Sequence, residues 1–168
     1  MTTILALSGS VRRASYNRRL LQLAATELEA AGATVDLVEP EAVDFPIYNG
    51  DVQDADGIPD AVTALHDRMA AAQGLLVASP EYNGAFSPLL KNTIDWVSRV
   101  DMTVYRPNLI GLLGASPGRR GAVHGMGMLA QVFQYLGATV HEPHFSLPSA
   151  SRVLTEHGLE REQAERLR

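Results

Sequence analysis

Short, continuous apolar runs alternate along the chain with stretches whose apolar residues recur every three to four positions. Residues 4–7, 74–79 and 109–115 form runs of the first kind. Runs of this sort predict strands covered on both faces. Residues 34–38 predict another strand, and residues 138–141 a short fifth. Between them lie helical patterns. In residues 15–31, Leu20, Ala24, Leu28 and Ala31 share one face, and Gly32 stands where a C-cap belongs. Val62, Leu65, Met69 and Ala72 mark a second helix, and Met126, Leu129, Phe133 and Leu136 a fourth that ends at Gly137. Residues 158–168 predict a last one.

The third helix, residues 87–100, is apolar on two adjacent stripes, one of Leu90, Ile94 and Val97, the other of Leu89, Thr93, Trp96 and Val100. One contact with a sheet needs less width, so this face predicts a subunit contact. Residues 39–59 break the rhythm. Pro40, Pro46, Gly50, Gly57 and Pro59 stand among acids without a sustained period, which predicts a long loop, readable either as a functional element or as a solvated surface loop.

Strands joined through helices imply a parallel sheet with right-handed crossovers. The expected architecture is α/β, a doubly wound sheet in one domain over residues 1–168. Ligands of such sheets sit beyond the carboxyl ends of the strands, at the topological switch point. That selects the loops after the first, third and fourth strands.

Composition narrows the chemistry. The 168 residues are 46% hydrophobic, 20% charged and 6% aromatic, which is ordinary globular material. Without cysteine there are no disulfides, thiolate nucleophiles or cysteine-held metals. The N-terminus has no basic leader, and no apolar run approaches the ~20 residues of a membrane span. The expectation is a cytoplasmic protein with no membrane partner. Net charge is −5, and Lys91 is the only lysine. The arginines come in scattered pairs, Arg12-Arg13, Arg18-Arg19 and Arg119-Arg120, and form no stripe that could follow a nucleic-acid backbone. Two pairs flank Gly- or Ser-rich loops, which points to a small anionic ligand.

The first loop places Ser10, Arg12, Ser15, Tyr16 and Asn17 at a helix start, where unpaired N–H groups attract phosphate. Ser15 is equally readable as a plain helix cap. Neither G-x-G-x-x-G nor G-x-x-x-x-G-K-[ST] is present, which argues against a dinucleotide fold and an NTPase. In the second loop Pro80, Glu81, Tyr82, Asn83 and Gly84 impose a tight turn, a platform suited to a flat heteroaromatic ligand. The third loop, with Ser116, Gly118, Arg119 and Arg120, lets backbone approach a ligand closely.

Together these motifs resemble the NAD(P)H-dependent FMN reductase family, flavodoxin-like enzymes that include quinone, azo-dye and chromate reductases. The markers are Gly9-Ser10-x-Arg12-x-x-Ser15-x-Asn17, and Pro80-Glu81-Tyr82-Asn83-Gly84 followed by Leu90-Lys91-Asn92-x-x-Asp95-Trp96. The Phe45-Pro46-Ile47-Tyr48 segment is a weaker match. The resemblance implies a three-layer fold with five parallel strands in the order 2-1-3-4-5. It places the FMN phosphate on Ser10, Arg12, Ser15 and Asn17, with Tyr16 beside them. The isoalloxazine lies against Pro80 to Gly84, mainly through backbone groups, with Ser116 and Gly118 approaching the far side. Lys91 and Asp95 support the helix and are not catalysts. NADPH or NADH is the implied co-substrate, a small molecule such as a quinone the acceptor, and a homodimer or homotetramer the assembly. The family usually carries paired glycines in the third loop, and Arg120 is read as replacing one of them.

The implied reaction is hydride transfer from nicotinamide to FMN and onward by a ping-pong mechanism, with no protein acid or base. The competing readings are a flavodoxin-like electron carrier and a flavin-free module of the same fold. No Gly-x-Ser-x-Gly elbow marks a hydrolase. His66 and His157 read as solvated, and His124, His141 and His144 lack metal-ligand spacing.

Overall fold

In the computed structural model, residues 1–155 and 158–167 are described. Strands β1 (Thr3–Ser8), β2 (Thr34–Leu37), β3 (Gly74–Ala78) and β6 (Leu109–Ala115) form a parallel sheet in the order β2-β1-β3-β6, with β7 (Thr139–Val140) beyond β6. Counted along the chain this is the order 2-1-3-4-5, as expected. The edge position is shared. β7 pairs with the start of β6 at Leu109 and Ile110, and β8 (Phe145–Leu147) with its end at Leu113 to Ala115. A strand predicted at residues 138–141 is thus one half of an edge broken by residues 141–144. Two short antiparallel pairs complete the strands: β4 (Glu81–Tyr82) with β5 (Ala85–Phe86), and β9 (Leu154–Thr155) with β10 (Gly158–Leu159).

Alternation along each strand builds two cores. Leu5, Leu7, Leu75, Val77, Ile110 and Leu112 point to one face, against α3 (Asp60–Ala71), α4 (Pro88–Asp101) and α5 (Val123–Tyr135). Ala6, Ala78, Leu113 and Ala115 point to the other, against Leu20, Leu21 and Ala24 of α1 (Tyr16–Ala30) and against α6 (Ala150–Val153). The small residues on that second face let α1 lie close to the sheet. At the free edge, Arg68 of α3 grips the Asp36 carboxylate of β2 through Nε at 2.9 Å and Nη2 at 2.7 Å.

The 39–59 segment is more ordered than its sequence predicts. It holds a 3₁₀ turn (Pro40–Val43) and the helix α2 (Gly50–Asp56), which starts where Asn49 accepts a hydrogen bond from Asp51 N–H at 2.9 Å. α2 buries no residue, so it leaves no apolar period to read. The broad apolar face of α4 also has an internal explanation. Trp96 is fully buried; its indole N–H donates to the Pro46 carbonyl at 2.7 Å, and its ring meets Tyr48 edge-on at 5.1 Å. Asn92 donates to the Phe45 and Pro46 carbonyls and accepts from Tyr48 N–H at 2.8 Å. Trp96, in the second stripe of α4, therefore packs on the chain's own residues 45–48. His66 also departs from its solvated reading: its side chain is 14% exposed, with Nε2 buried and unpartnered. The last helix, α7, is Arg161–Leu167; His157 and Arg168 lie outside the described residues.

Candidate functional site

β1, β3 and β6 are adjacent and parallel, with Ser8 opposite Ala78 and Ala78 opposite Leu113. The three loops that follow them therefore leave one edge of the sheet side by side. Chain connection reverses between β1 and β3, which is the switch point of this topology.

The first loop is anchored at both ends. Gly9 N–H donates to the Ala78 carbonyl at 2.8 Å, extending the pairing with β3. A Cβ added to Gly9 would lie 2.6 Å from both Ser87 Oγ and Leu90 Cδ1, so only glycine lets this loop press against the start of α4. Ser10 and Ser15 are buried, while Arg12 and Arg13 project into solvent. Ser15 is the N-cap of α1, its hydroxyl accepting from Arg18 N–H at 3.3 Å. The first-turn N–H groups of Tyr16 and Asn17 have no partner within the helix. The Asn17 side chain points away from them. Its amide donates to the Ala115 carbonyl at 3.0 Å and accepts from the Ala115 N–H at 2.8 Å, joining α1 to the end of β6.

The second loop is a hairpin. Asn83 (φ 53°) and Gly84 (φ 80°) are its two central residues, with Glu81 opposite Phe86 and Tyr82 opposite Ala85. Two successive left-handed residues are the signature of the tight turn that suits the twist of antiparallel strands, and Asn-Gly is its favoured sequence. Ser79 closes the neck, its hydroxyl donating to the Pro80 carbonyl at 2.8 Å and accepting from Ser87 N–H at 3.4 Å. The Glu81 carboxylate accepts from Gly125 N–H at 2.9 Å, in the first turn of α5, where negative charge also complements the helix dipole. A Cβ on Gly125 would stand 3.1 Å from the Ala85 backbone, so the hairpin rests directly on α5. Tyr82 remains exposed beside the tip.

The third loop is held from within. Ser116 Oγ donates to the Gly118 carbonyl at 3.3 Å and accepts from Gly121 N–H at 3.1 Å. Gly118 O accepts from Ser149 N–H at 2.8 Å, tying the loop to residues after β8. A Cβ on Gly118 would make one ordinary contact, with Ser116 Oγ at 3.9 Å. Gly121 (φ 57°) and Ala122 (φ 66°) are the consecutive left-handed residues. Ala122 thus holds a backbone conformation that favours glycine, while Arg120 is exposed and not among the left-handed residues.

All twelve candidate residues thus fall in or beside three neighbouring loops. Among them the Asn17 side chain clamps Ala115, and the Glu81 carboxylate accepts from the first turn of α5. Lys91 and Asp95 form an exposed ion pair at 2.6 Å along α4, a supporting role. The Asn92–Trp96 clamp on residues 45–48 was not anticipated, because its partners lie more than forty residues away. Among the described residues no group of three or more His, Cys, Asp or Glu could hold a metal ion, and no helix is long and apolar enough to cross a membrane.

Buried hydroxyls at a helix start, a guanidinium nearby, a glycine-lined contact between two loops and a flat hairpin have the chemistry to take a phosphorylated aromatic ligand. Residues 2–152 match the NADPH-dependent FMN reductase family, and the chain belongs to that family of oxidoreductases. It is 35% identical to an NAD(P)H-dependent FMN reductase of Pseudomonas aeruginosa over 156 residues, 92% of this chain and 82% of that protein. It is 33% identical to the quinone reductase of Escherichia coli K12, over 84% of this chain and 75% of that one. Among solved structures it resembles FerB, a flavoenzyme NAD(P)H:(acceptor) oxidoreductase from Paracoccus denitrificans, with a TM-score of 0.86 and 26% identity over 99% of this chain and 91% of FerB.

FMN, the cofactor of the family, fits the residues present. Gly9 seats the first loop on the start of α4, just beyond the hairpin, Gly118 adds no side chain to the third loop, and the donors at the helix start suit a dianion.

Proposed function

We propose that this chain is an FMN-dependent NAD(P)H oxidoreductase that reduces quinones, free flavin or similar small acceptors by a ping-pong cycle. Bound FMN supplies the redox chemistry, taking a hydride from the nicotinamide and returning electrons to the acceptor. In this reading Ser10, Arg12 and Ser15 hold the phosphate together with the backbone N–H groups of Tyr16 and Asn17. Asn17 also fixes that helix start to β6 through its side chain. Pro80, Glu81, Tyr82, Asn83 and Gly84 carry the ring, and Ser116 and Gly118 border it. Hairpin N–H groups would offer hydrogen-bond donors to the polar edge of the bound ring without needing a titrating side chain.

The observation that supports this reading is the contact of the first loop with the start of α4 at Gly9, with residues 10–17 and the hairpin following adjacent strand ends. A homodimer or homotetramer is part of the proposal, supported by the exposed apolar side chains of Ile47 (86%) and Tyr135 (87%). A cytoplasmic location is supported by the absence of cysteine.

The test is spectroscopic. Purified protein supplied with FMN should be yellow, and NADPH or NADH added anaerobically should bleach it within seconds. Colour that persists with either nucleotide would contradict the enzyme reading and favour an electron carrier, and protein that takes up no FMN would contradict both.

A further inference from the structure

The two faces of the sheet are covered unequally. On the face packed by α3, α4 and α5, the inner strands are buried at Leu75, Val77, Ile110 and Leu112. On the other face, cover extends over Ala6, Ala78, Leu113 and Ala115. Nearer the amino ends of the strands it stops. Leu76 of β3 and Gly111 of β6 are only half-buried, although β3 has a strand on either side. Leu109 stands two residues before Gly111, hence on the same face, and is 52% exposed. Parallel sheets are ordinarily covered on both faces. Here the uncovered stretch forms a groove of about 900 Å³ bordered by the second half of α1, β6, residues 141–145 and the end of α7.

Leu28, Leu76, Phe145 and Leu167 give the groove apolar walls, and Gly111 adds no side chain to it. The chain carries a net charge of −5, yet the same lining holds His141, His144 and Arg166. Arg166 lies over the Phe145 ring, 5.3 Å from its centroid, and its Nη1 donates to the Gln163 side-chain oxygen at 2.6 Å. Arg161 on the same helix is paired with Glu165, whereas Arg166 has no carboxylate partner among the described residues. His144 Nδ1 donates to the His141 carbonyl at 3.1 Å, which leaves Nε2 as a second donor when the ring is charged. Glu27 is the one carboxylate in the described lining, and it is already engaged. The groove thus joins an apolar trough to an unpaired guanidinium and an oriented imidazole. Its volume falls in the range of about 300–1,000 Å³ typical of small-molecule sites.

We propose that this groove binds a medium-chain alkyl carboxylate, its head group at Arg166 and His144 and its tail along Leu28, Leu76 and Phe145. The guanidinium fork matches the two carboxylate oxygens, and the chain covers the bare stretch of sheet. The site is separate from the three loops, since none of the residues assigned to FMN lines it.

Calorimetric titration of the purified, FMN-supplied protein tests head and tail separately. Decanoate, decyltrimethylammonium and hexanoate are compared, each below its micelle concentration. Decanoate should bind about tenfold tighter or more than decyltrimethylammonium, which keeps the tail and reverses the charge. It should also bind at least about tenfold tighter than hexanoate, which keeps the charge and loses four methylenes. Arg166→Gln, at an exposed position, should lower decanoate affinity by about tenfold and leave decyltrimethylammonium no weaker. Ala31→Trp, which puts an indole at the exposed α1 wall, should lower it by at least as much. Both variants should keep the flavin colour. In amide NMR spectra, decanoate should shift Leu28, Gly111 and Phe145 most.

Absence of decanoate binding would overturn the proposal, and so would equal affinity for the anionic and cationic amphiphiles. Wild-type decanoate affinity in Arg166→Gln would do the same. Binding seen only in flavin-free protein, or release of FMN by decanoate, would place the ligand in the loops and not in this groove. A sedimentation mass that falls as decanoate is added would make the face a subunit contact, and would overturn it as well.

Discussion

Asn17 and Ala115 lie 98 residues apart and exchange two hydrogen bonds, with the amide of one closing on the backbone N–H and carbonyl of the other. The pair joins the start of α1 to the end of β6, and so fixes the first loop relative to the third. Asn17→Ala should leave both Ala115 groups buried without partners. Each such group costs about 1–3 kcal/mol, so a loss of about 2 kcal/mol or more is expected in urea denaturation. Asn17→Asp should also destabilise, because it turns a carboxylate oxygen toward the Ala115 carbonyl. Wild-type stability in both variants would refute the clamp.

Gly9→Ala tests the contact between the first loop and α4. The new methyl would meet Ser87 Oγ and Leu90 Cδ1 at 2.6 Å, and the loop would have to move away from the hairpin neck. Overpacking of this kind costs about 1–3 kcal/mol. FMN affinity should fall together with stability, since phosphate donors and ring platform separate. A variant that kept both would show that the closeness of the two loops does not matter for binding.

Much of this arrangement is legible in the chain. Residues 4–7, 74–79 and 109–115 read as strands because their apolar runs are short and continuous, and most of their residues are buried. The hairpin at Asn83-Gly84 carries the strongest short-range turn signal, though the reading stopped at a tight turn and did not pair Glu81–Tyr82 with Ala85–Phe86. Other features had no local signal. The Asn17 amide reads as a phosphate donor because its true partner lies 98 positions on. The packing of residues 45–48 on Asn92 and Trp96 has no local signal, because those residues carry no period linking them to a helix more than forty positions later. Helix α2 buries nothing, so only its Asn49 cap could have revealed it.

Acid stability has a specific contributor at the sheet edge. The Arg68 guanidinium, hydrogen-bonded to both Asp36 oxygens, holds that carboxyl below its ordinary range. A carboxyl depressed in the folded state stabilises above its unfolded value, about 3.9, and loses that contribution as pH falls through the lower folded value. Arg68→Met should therefore be less stable than wild type at pH 7, by about 1 kcal/mol or less because the pair is partly exposed. The gap should close as pH drops below the ordinary aspartate range. A gap of the same size at pH 7 and at strongly acid pH would contradict the assignment.

The most direct measurement is a pair of fluorescence titrations, with FMN and with riboflavin, which differ only in the phosphate. FMN should bind at least about 100-fold tighter in wild type, reflecting two or more charge-assisted contacts at the start of α1. Arg12→Ala should cut FMN affinity by about 10- to 100-fold and leave riboflavin binding nearly as it was. Equal affinity for the two flavins, or an Arg12→Ala variant that binds FMN as tightly as wild type, would show that the phosphate does not lie where this site places it.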